Sequence, residues 1–564
     1  AVLASETHLQ SMTLREGDVR HVNIELPYWI SWSDGSAQFI DPQYAHTLLQ
    51  AHHSSATNRH RSDVPVIHEE SELFNGAAFA PGSLGATLSQ SGALKFIATK
   101  HADGKLFELR DHYIPMGIVL PAPMHRKLTE LFHDILKVAD YFPAHSEPQK
   151  VMTLVAQLLN HFLYARGAHL SQIEECMSNF RQGRLDLLWN LKISAAEKLQ
   201  RKRESNPMTE KPMSDKEKEK SAMHLAKAGN YSKANKRICA TSTHACGDDT
   251  VEKLKALHPT ASCDFNTQYW PTTEAIKEHW ASDQGQQFLL SRLSIKAIRT
   301  YFCTRQALGA ADIDGWRGRE HIGRMFQNNN TELHELIRKL LILPYLHNES
   351  LPQYAEEFIG GHLFAFLKPG GGIRPLLCGD AWRRCLASVV ARSLSDDVTT
   401  FFKTSCPNFI QCAGGKDDGA TMCAKVVKGF DNHDDDTMHT HTIVNLDVKN
   451  AFNSTNRAGA FDSKTGKASR EYDAGRVKVG DPITCLPDIW PFFPYFQAAH
   501  GCAGKLRFTD HRGQLHHIMG TKGGQQGDPG NDQLLPCDAS GVAPRYGTSP
   551  HSAGSRFCGR WFRA

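Results

Sequence analysis

Asp447 stands near the end of an apolar, β-branched run made by Ile443, Val444, Leu446 and Val448, and Asn450, Ala451 and Phe452 then open a helix-like segment. Run and turn together predict a buried strand feeding a helix. A lone carboxylate is costly to bury, so it needs a partner that keeps it charged. A helix N-terminus or an arginine would do this structurally. A divalent metal would do it chemically: magnesium takes one or two protein carboxylates and fills its other positions with water and substrate phosphate.

Two glycine-rich segments flank this acid. In "GGHLFAFLKPGGGIRPLL" an apolar strand leads to Lys368, then Pro369 and three glycines, then Arg374 and Pro375. Such a turn lets backbone approach a ligand closely. Lys368 as a point charge and Arg374 as a planar fork suit a polyphosphate. A plain hairpin with surface cations has the same pattern, and Gly-Lys-Ser/Thr of a Walker A loop is absent. Further on, "GGQQGDPG" carries Gln526, able to hydrogen-bond a nucleotide or template, beside Gly527.

The order of these segments resembles the reverse transcriptase domain of non-LTR (LINE-type) retrotransposons. "LKPGGGIRPL", "LDVKNAFNS" and "GGQQGDP" look like that family's fingers motif, first palm motif and template-gripping motif, and "DIDGWRGRE" (312–320) looks more loosely like its entry segment. The resemblance covers roughly residues 221–530. It implies an α+β right-hand polymerase core, fingers plus partial palm without a thumb. It also implies RNA-directed DNA synthesis by in-line nucleotidyl transfer with two Mg2+ ions. Asp447 would be the catalytic metal carboxylate, with the Val448 carbonyl beside it as a second metal ligand. Lys368 and Arg374 would hold the triphosphate, and Gln526 and Gly527 would face nucleotide and template. Phe452 would be the steric gate that excludes a 2′-hydroxyl. The implied partners are an RNA template, a DNA primer and deoxynucleoside triphosphates.

The sequence departs from that pattern in one respect. No Asp-Asp pair follows Pro529; the acidic pairs Asp248-Asp249, Asp396-Asp397, Asp417-Asp418 and Asp434–Asp436 all precede it and are expected in surface loops. Gly530-Asn531 stands where an apolar helix is expected. The chain is therefore expected to be an incomplete, inactive copy, with a frame shift or truncation behind its tail. The alternatives are a non-enzymatic nucleic-acid-binding remnant and a host interaction protein that uses the polymerase fold as scaffold.

Composition bounds these readings. A chain of 564 residues implies roughly two to four domains. A net charge of +4 allows a nucleic-acid partner without demanding one. Fourteen irregularly spaced cysteines suggest reduced thiols and an intracellular protein, nuclear or cytoplasmic. Cys239, His244, Cys246 and Cys263 match no zinc template, and His439 with His441 is a weak metal candidate. No apolar run reaches the length of about 18 residues needed to cross a membrane. The first residues, "AVLASETHLQ", carry no signal peptide pattern, and the absent methionine suggests a fragment.

Residues 1–125 read as a mixed region of unknown function, with a hairpin expected around Asp103-Gly104 in "ALKFIATKHADGKLFELR". Residues 126–270 read as helical, with an amphipathic helix at "VMTLVAQLLNHFLYA" and a charged linker or exposed helix near 195–220. Two short helices are expected between 221 and 260. The reverse transcriptase fingers and partial palm are expected over 271–535, and an irregular tail over 536–564. Within "RLSIKAIRTYFCTR" an aromatic-basic face could stack bases, although an aromatic core stripe is the commoner origin of such a pattern.

Overall fold

The computed structural model describes residues 28–31, 37–40, 66–69, 73–74, 77–112, 120–164, 170–207, 214–227, 231–238, 244–245, 247–260, 272–304, 311–346, 355–368, 372–394, 396, 453, 457 and 490–524. The protein is mixed α+β and mostly helical. It divides into two compact units. Unit 1 takes residues 1–205 together with 314–316 and 324–344; unit 2 takes 206–313, 317–323 and 345–564. The first break falls after Ser205, and two stretches from the middle of the chain belong with the N-terminal unit.

Unit 1 begins with three short strands, β1 (Tyr28–Ser31), β2 (Ala37–Ile40) and β3 (Val66–Glu69), in an antiparallel sheet of order β2-β1-β3. Helices follow: α1 (Leu84–Gln90), α2 (Ala93–Ala102), α3 (Glu108–Asp111), α4 (Ala122–Tyr141), α5 (Glu147–Leu163), α6 (Leu170–Arg181) and α7 (Leu185–Ser205). The long helices expected after residue 126 are all present. Helix α5 holds "VMTLVAQLLNHFL" and is buried on nearly every side, from Val151 and Met152 through Asn160 and His161 to Leu163. A helix buried on nearly all its faces, here with Thr153 and Gln157 partly exposed, belongs in the centre of a bundle. It starts where Ser146 Oγ accepts from the Gln149 N–H. The helical stretch Thr331–Ile337 also packs against α4.

The hairpin expected around Asp103-Gly104 is not formed. Leu94, Ile97, Ala98 and His101 recur at helical spacing and are buried on one face of α2. Gly104, with φ of +67°, ends the helix. Its N–H donates to the His101 carbonyl at 2.9 Å, and the Lys105 N–H donates to the Lys100 carbonyl at 2.8 Å. This pair of bonds is the left-handed helix stop that glycine favours. The same Asp-Gly pair serves hairpins and helix ends, and the apolar spacing decided between them.

Unit 2 opens with α8 (Asp215–Lys227), α9 (Tyr231–Ile238), α10 (Thr250–Leu257), α11 (Thr273–Ala281), α12 (Asp283–Ser291) and α13 (Ile295–Cys303). The charged stretch 195–220 is thus helical at both ends: α7 runs exposed to Ser205 with an Arg201–Glu197 pair at 3.3 Å, and α8 begins at Asp215. Helix α13 buries Ile298, Tyr301 and Phe302, with Phe302 edge-on to Trp382 at 5.5 Å, and leaves Lys296 and Arg299 exposed. Its aromatic stripe is core, so no stacking platform forms there.

After α14 (Ala355–Ile359) come β4 (Gly361–Leu367), β5 (Ile373–Gly379), α15 (Ala381–Ser393), α16 (Phe493–His500), β6 (Gly504–Thr509) and β7 (Leu515–Gly520). The four strands form one mixed sheet of order β5-β4-β6-β7. β4 runs antiparallel to β5 from Gly361 opposite Gly379 to Leu367 opposite Ile373. It meets β6 in parallel only at Gly361 and His362. Period-2 alternation turns Leu363 and Ala365 of β4, Ile373 and Leu377 of β5, Leu506 and Phe508 of β6 and Ile518 of β7 toward one core, which Val251 and Leu254 of α10 cover. A side chain at Gly361 would come within 2.6 Å of the Cys378 carbonyl oxygen, so glycine is what lets β4 and β5 close here.

Candidate functional site

Lys368 and Arg374 sit at the turn end of the β4–β5 hairpin. The Lys368 N–H donates to the Gly372 carbonyl at 3.1 Å, closing the turn, and Gly372 takes φ of +79°, a conformation in which glycine carries no Cβ strain. Arg374 lies opposite Phe366 in register. Both cations are exposed, and neither forms an ion pair among the described residues. The hairpin is braced behind them: Ala245 N–H donates to the Ala365 carbonyl at 2.9 Å, and the His244 ring lies tilted against Phe366, centroids 4.6 Å apart.

Asp447, Val448, Phe452, Gln526 and Gly527 lie outside the described residues, as does the strand expected at 441–448. Their near neighbours are described. Arg457, ten residues past Asp447, is buried, and its guanidinium donates to four main-chain carbonyls: Nε to Gly523 (2.6 Å), Nη1 to Cys502 (2.8 Å) and His500 (3.3 Å), and Nη2 to Gly520 (3.1 Å). The fork thereby ties the chain that follows Asp447 to the end of β7 and to the glycines that lead into Gln526. Such a site uses the planar donor fan of arginine, which a lysine would not reproduce. Burial, reinforced by Arg457 and Arg383, keeps the neighbouring His500 ring neutral by holding its pKa well below 6.5.

A small cavity of about 20 Å³ lies beside Arg457, room for one water. Its wall brings together Pro375 and Leu377 of the β4–β5 hairpin, Asn453 near the end of the Asp447 motif with Arg457 just beyond it, and Gly520, Lys522 and Gly524 from the approach to Gln526. Three segments, each roughly 60 to 80 residues along the chain from the next, therefore share one cavity wall. Chemically, the arrangement offers a fixed backbone scaffold with exposed cations at its hairpin end.

No group of three or more His, Cys, Asp or Glu side chains among the described residues could hold a metal ion. The zinc candidates Cys239, Cys246 and Cys263, and the pair His439 and His441, lie outside the described residues. Of the acidic pairs, Asp248 and Asp249 are exposed in the turn before α10, as expected of a surface loop, and Asp396 is exposed at a helical position.

Sequence reasoning missed a second polar constellation, in unit 1. Arg110 of α3 clasps Asp314 through two bonds, Nε to Oδ1 at 2.7 Å and Nη2 to Oδ2 at 2.6 Å, with both side chains buried. His161 Nε2 of α5 lies 3.2 Å from Asp314 Oδ1, and Trp316 Nε1 donates to the Gln157 carbonyl at 2.7 Å. Burial pushes the Asp314 carboxyl up, but Arg110 and the His161 bond outweigh it and hold it well below the usual range. Burial lowers His161 to about 4 against the pull of Asp314, and lowers the fully buried Lys192 of α7 to about 7. The sole sequence signal was the "DIDGW" stretch; nothing local ties it to Arg110 or His161, which lie 204 and 153 residues away. In unit 1, then, Asp314 and Trp316 fasten their short segment among α3 and α5.

Comparison with known proteins finds no match to this chain among family models, curated proteins or solved structures.

Proposed function

We propose that the chain carries the fingers and part of the palm of a reverse transcriptase of the non-LTR retrotransposon type, which binds primer–template and deoxynucleoside triphosphate. The observation that carries this reading is the shared cavity wall. The hairpin of Lys368 and Arg374, the segment behind Asp447 and the approach to Gln526 meet in unit 2, as a polymerase would need. In this reading Lys368 and Arg374 neutralise the triphosphate, Arg457 holds the glycine-rich approach in place, and Phe452 rejects ribose. Magnesium held by Asp447 would supply the charge stabilisation for nucleotidyl transfer. These 564 residues hold no Asp-Asp pair after Pro529, so this stretch alone lacks the remaining metal carboxylates and should bind without synthesis.

The test combines binding and primer extension. The wild-type chain should bind primer–template with an affinity that falls steeply as salt rises. Arg374→Ala should weaken triphosphate binding by about tenfold, at the level of one lost charge-assisted bond, and duplex binding less. Extension should be at least about a thousandfold below that of a version supplied with the second palm motif and thumb. In that version Asp447→Asn should abolish synthesis and Phe452→Val should admit ribonucleotides. Salt-independent binding, or robust synthesis that survives Asp447→Asn, would overturn the reading.

A further inference from the structure

Unit 1 contains a second basic feature that the polymerase reading does not use. An open groove of about 640 Å³ lies at the start of α4, walled by Leu120, His125 and Arg126 on one side and Arg324, Gln327 and Asn328 on the other. That volume lies in the range of sites that take nucleotide-sized ligands. No acidic residue is among those that line it.

We propose that this groove binds the phosphodiester backbone of a nucleic-acid strand. Arg126 is exposed and forms no ion pair among the described residues, so its charge is available. Arg324 is half-buried and held by one bond, Nη1 to the Leu120 carbonyl at 3.0 Å. That bond fixes its position while committing one of five donors, so little side-chain freedom is left to lose on binding. The exposed amides of Gln327 and Asn328 add donors and acceptors suited to sugar and base edges. The first turn of α4, capped by no side chain, adds a favourable end of the helix dipole. No Phe, Tyr or Trp lines the groove, so binding rests mainly on phosphate contacts and tolerates any sequence. A lone phosphate would leave most of the volume unfilled, whereas a strand can pass through an open groove. The proposal concerns unit 1 alone and stands whether or not unit 2 belongs to a polymerase.

The experiment measures anisotropy of a short labelled oligouridylate with the full chain across a salt series. Arg126→Glu should weaken binding roughly threefold to tenfold at low salt and flatten the log–log salt slope by about 0.7, the release expected from one single-strand phosphate contact. Arg126→Lys should retain most of the affinity. Lys127→Glu makes the same charge change one residue away, where Lys127 pairs with Glu174 outside the groove, and should have little effect. The Arg126→Glu effect should persist in a Lys368→Ala/Arg374→Ala background, which separates it from any failure of the unit 2 reading. An equal loss from Arg126→Glu and Lys127→Glu, or no loss from Arg126→Glu, would overturn the proposal. Competition by inorganic phosphate or uridine monophosphate as strong, per phosphate, as competition by the oligomer would overturn the assignment to a strand.

Discussion

Two sites, the Asp314 clasp of unit 1 and the β4–β5 hairpin of unit 2, use charge in opposite ways. In unit 1, Arg110, Asp314, His161 and Lys192 are drawn inside a helical bundle and withdrawn from water. In unit 2, Lys368 and Arg374 are held out on the turn of a hairpin whose apolar face is anchored in a sheet. A buried charge is committed to the fold, because removing its partner leaves a desolvated ion. A charge displayed on a braced hairpin costs the fold little and stays available to a ligand. The difference teaches where to look for function: unit 1's polar core is architecture, and its surface groove and unit 2's hairpin are the places with charge to spend.

The sharpest way to break this comparison is Asp314→Asn. It removes the negative charge beneath Arg110 and unbalances His161, leaving a buried guanidinium uncompensated. The expected loss is about 3–5 kcal/mol, read from amide exchange within α5, which reports unit 1 by itself. The pair replacement Arg110→Met with Asp314→Leu should recover most of that loss, since apolar residues of similar volume replace a buried pair at little cost. A loss below about 1 kcal/mol for Asp314→Asn would mean that the clasp is no stronger than a surface pair.

Lys192→Met should act in the other direction. Burial lowers the Lys192 pKa from 10.5 to about 7, so the folded state releases a proton that the unfolded chain keeps between those values. Stability from this group is therefore fully present above pH 10.5 and is lost as pH falls to 7. Methionine removes the charge while keeping an unbranched chain. The variant should be more stable than wild type by up to about 4 kcal/mol at pH 7, with the gain fading as pH rises toward 10. A gain independent of pH would show that packing, not the ammonium, is responsible.

These contrasts also mark what was legible in the sequence. Helices α4 to α7 follow from apolar residues at helical spacing, a local signal that survives tertiary context. The β4–β5 hairpin was legible because Lys368, three glycines and Arg374 sit between two apolar runs. The helix stop at Gly104 was misread because its Asp-Gly pair has two structural uses, and the choice lay in Ile97 and His101 upstream. The clasp around Asp314 was not legible: Arg110, His161 and Asp314 come from three distant stretches, and burial alone turns them into a unit. Arg457 was missed for the same reason. Its four acceptors are main-chain carbonyls, which carry no side-chain signature, and they become neighbours only after β7 and α16 have packed.

The smallest expected effect lies on unit 2's side. Arg374→Ala and Lys368→Ala should each shift the urea midpoint of the whole chain by the equivalent of less than about 0.5 kcal/mol. Arg374 is exposed on β5, opposite Phe366. Its stem contributes at most a cross-strand contact, worth a few tenths of a kcal/mol. Lys368 contributes its main-chain N–H to the turn at Gly372, and alanine keeps that bond. Among the described residues neither cation satisfies a buried acceptor, so neither leaves one stranded there. The same substitutions are expected to weaken triphosphate binding about tenfold, one lost charge-assisted bond each. Stability unchanged while binding falls is the signature of charge held out for a ligand. A stability loss above about 1 kcal/mol from either would place these cations with Asp314, among the groups the fold itself consumes, and the contrast between the two units would fail.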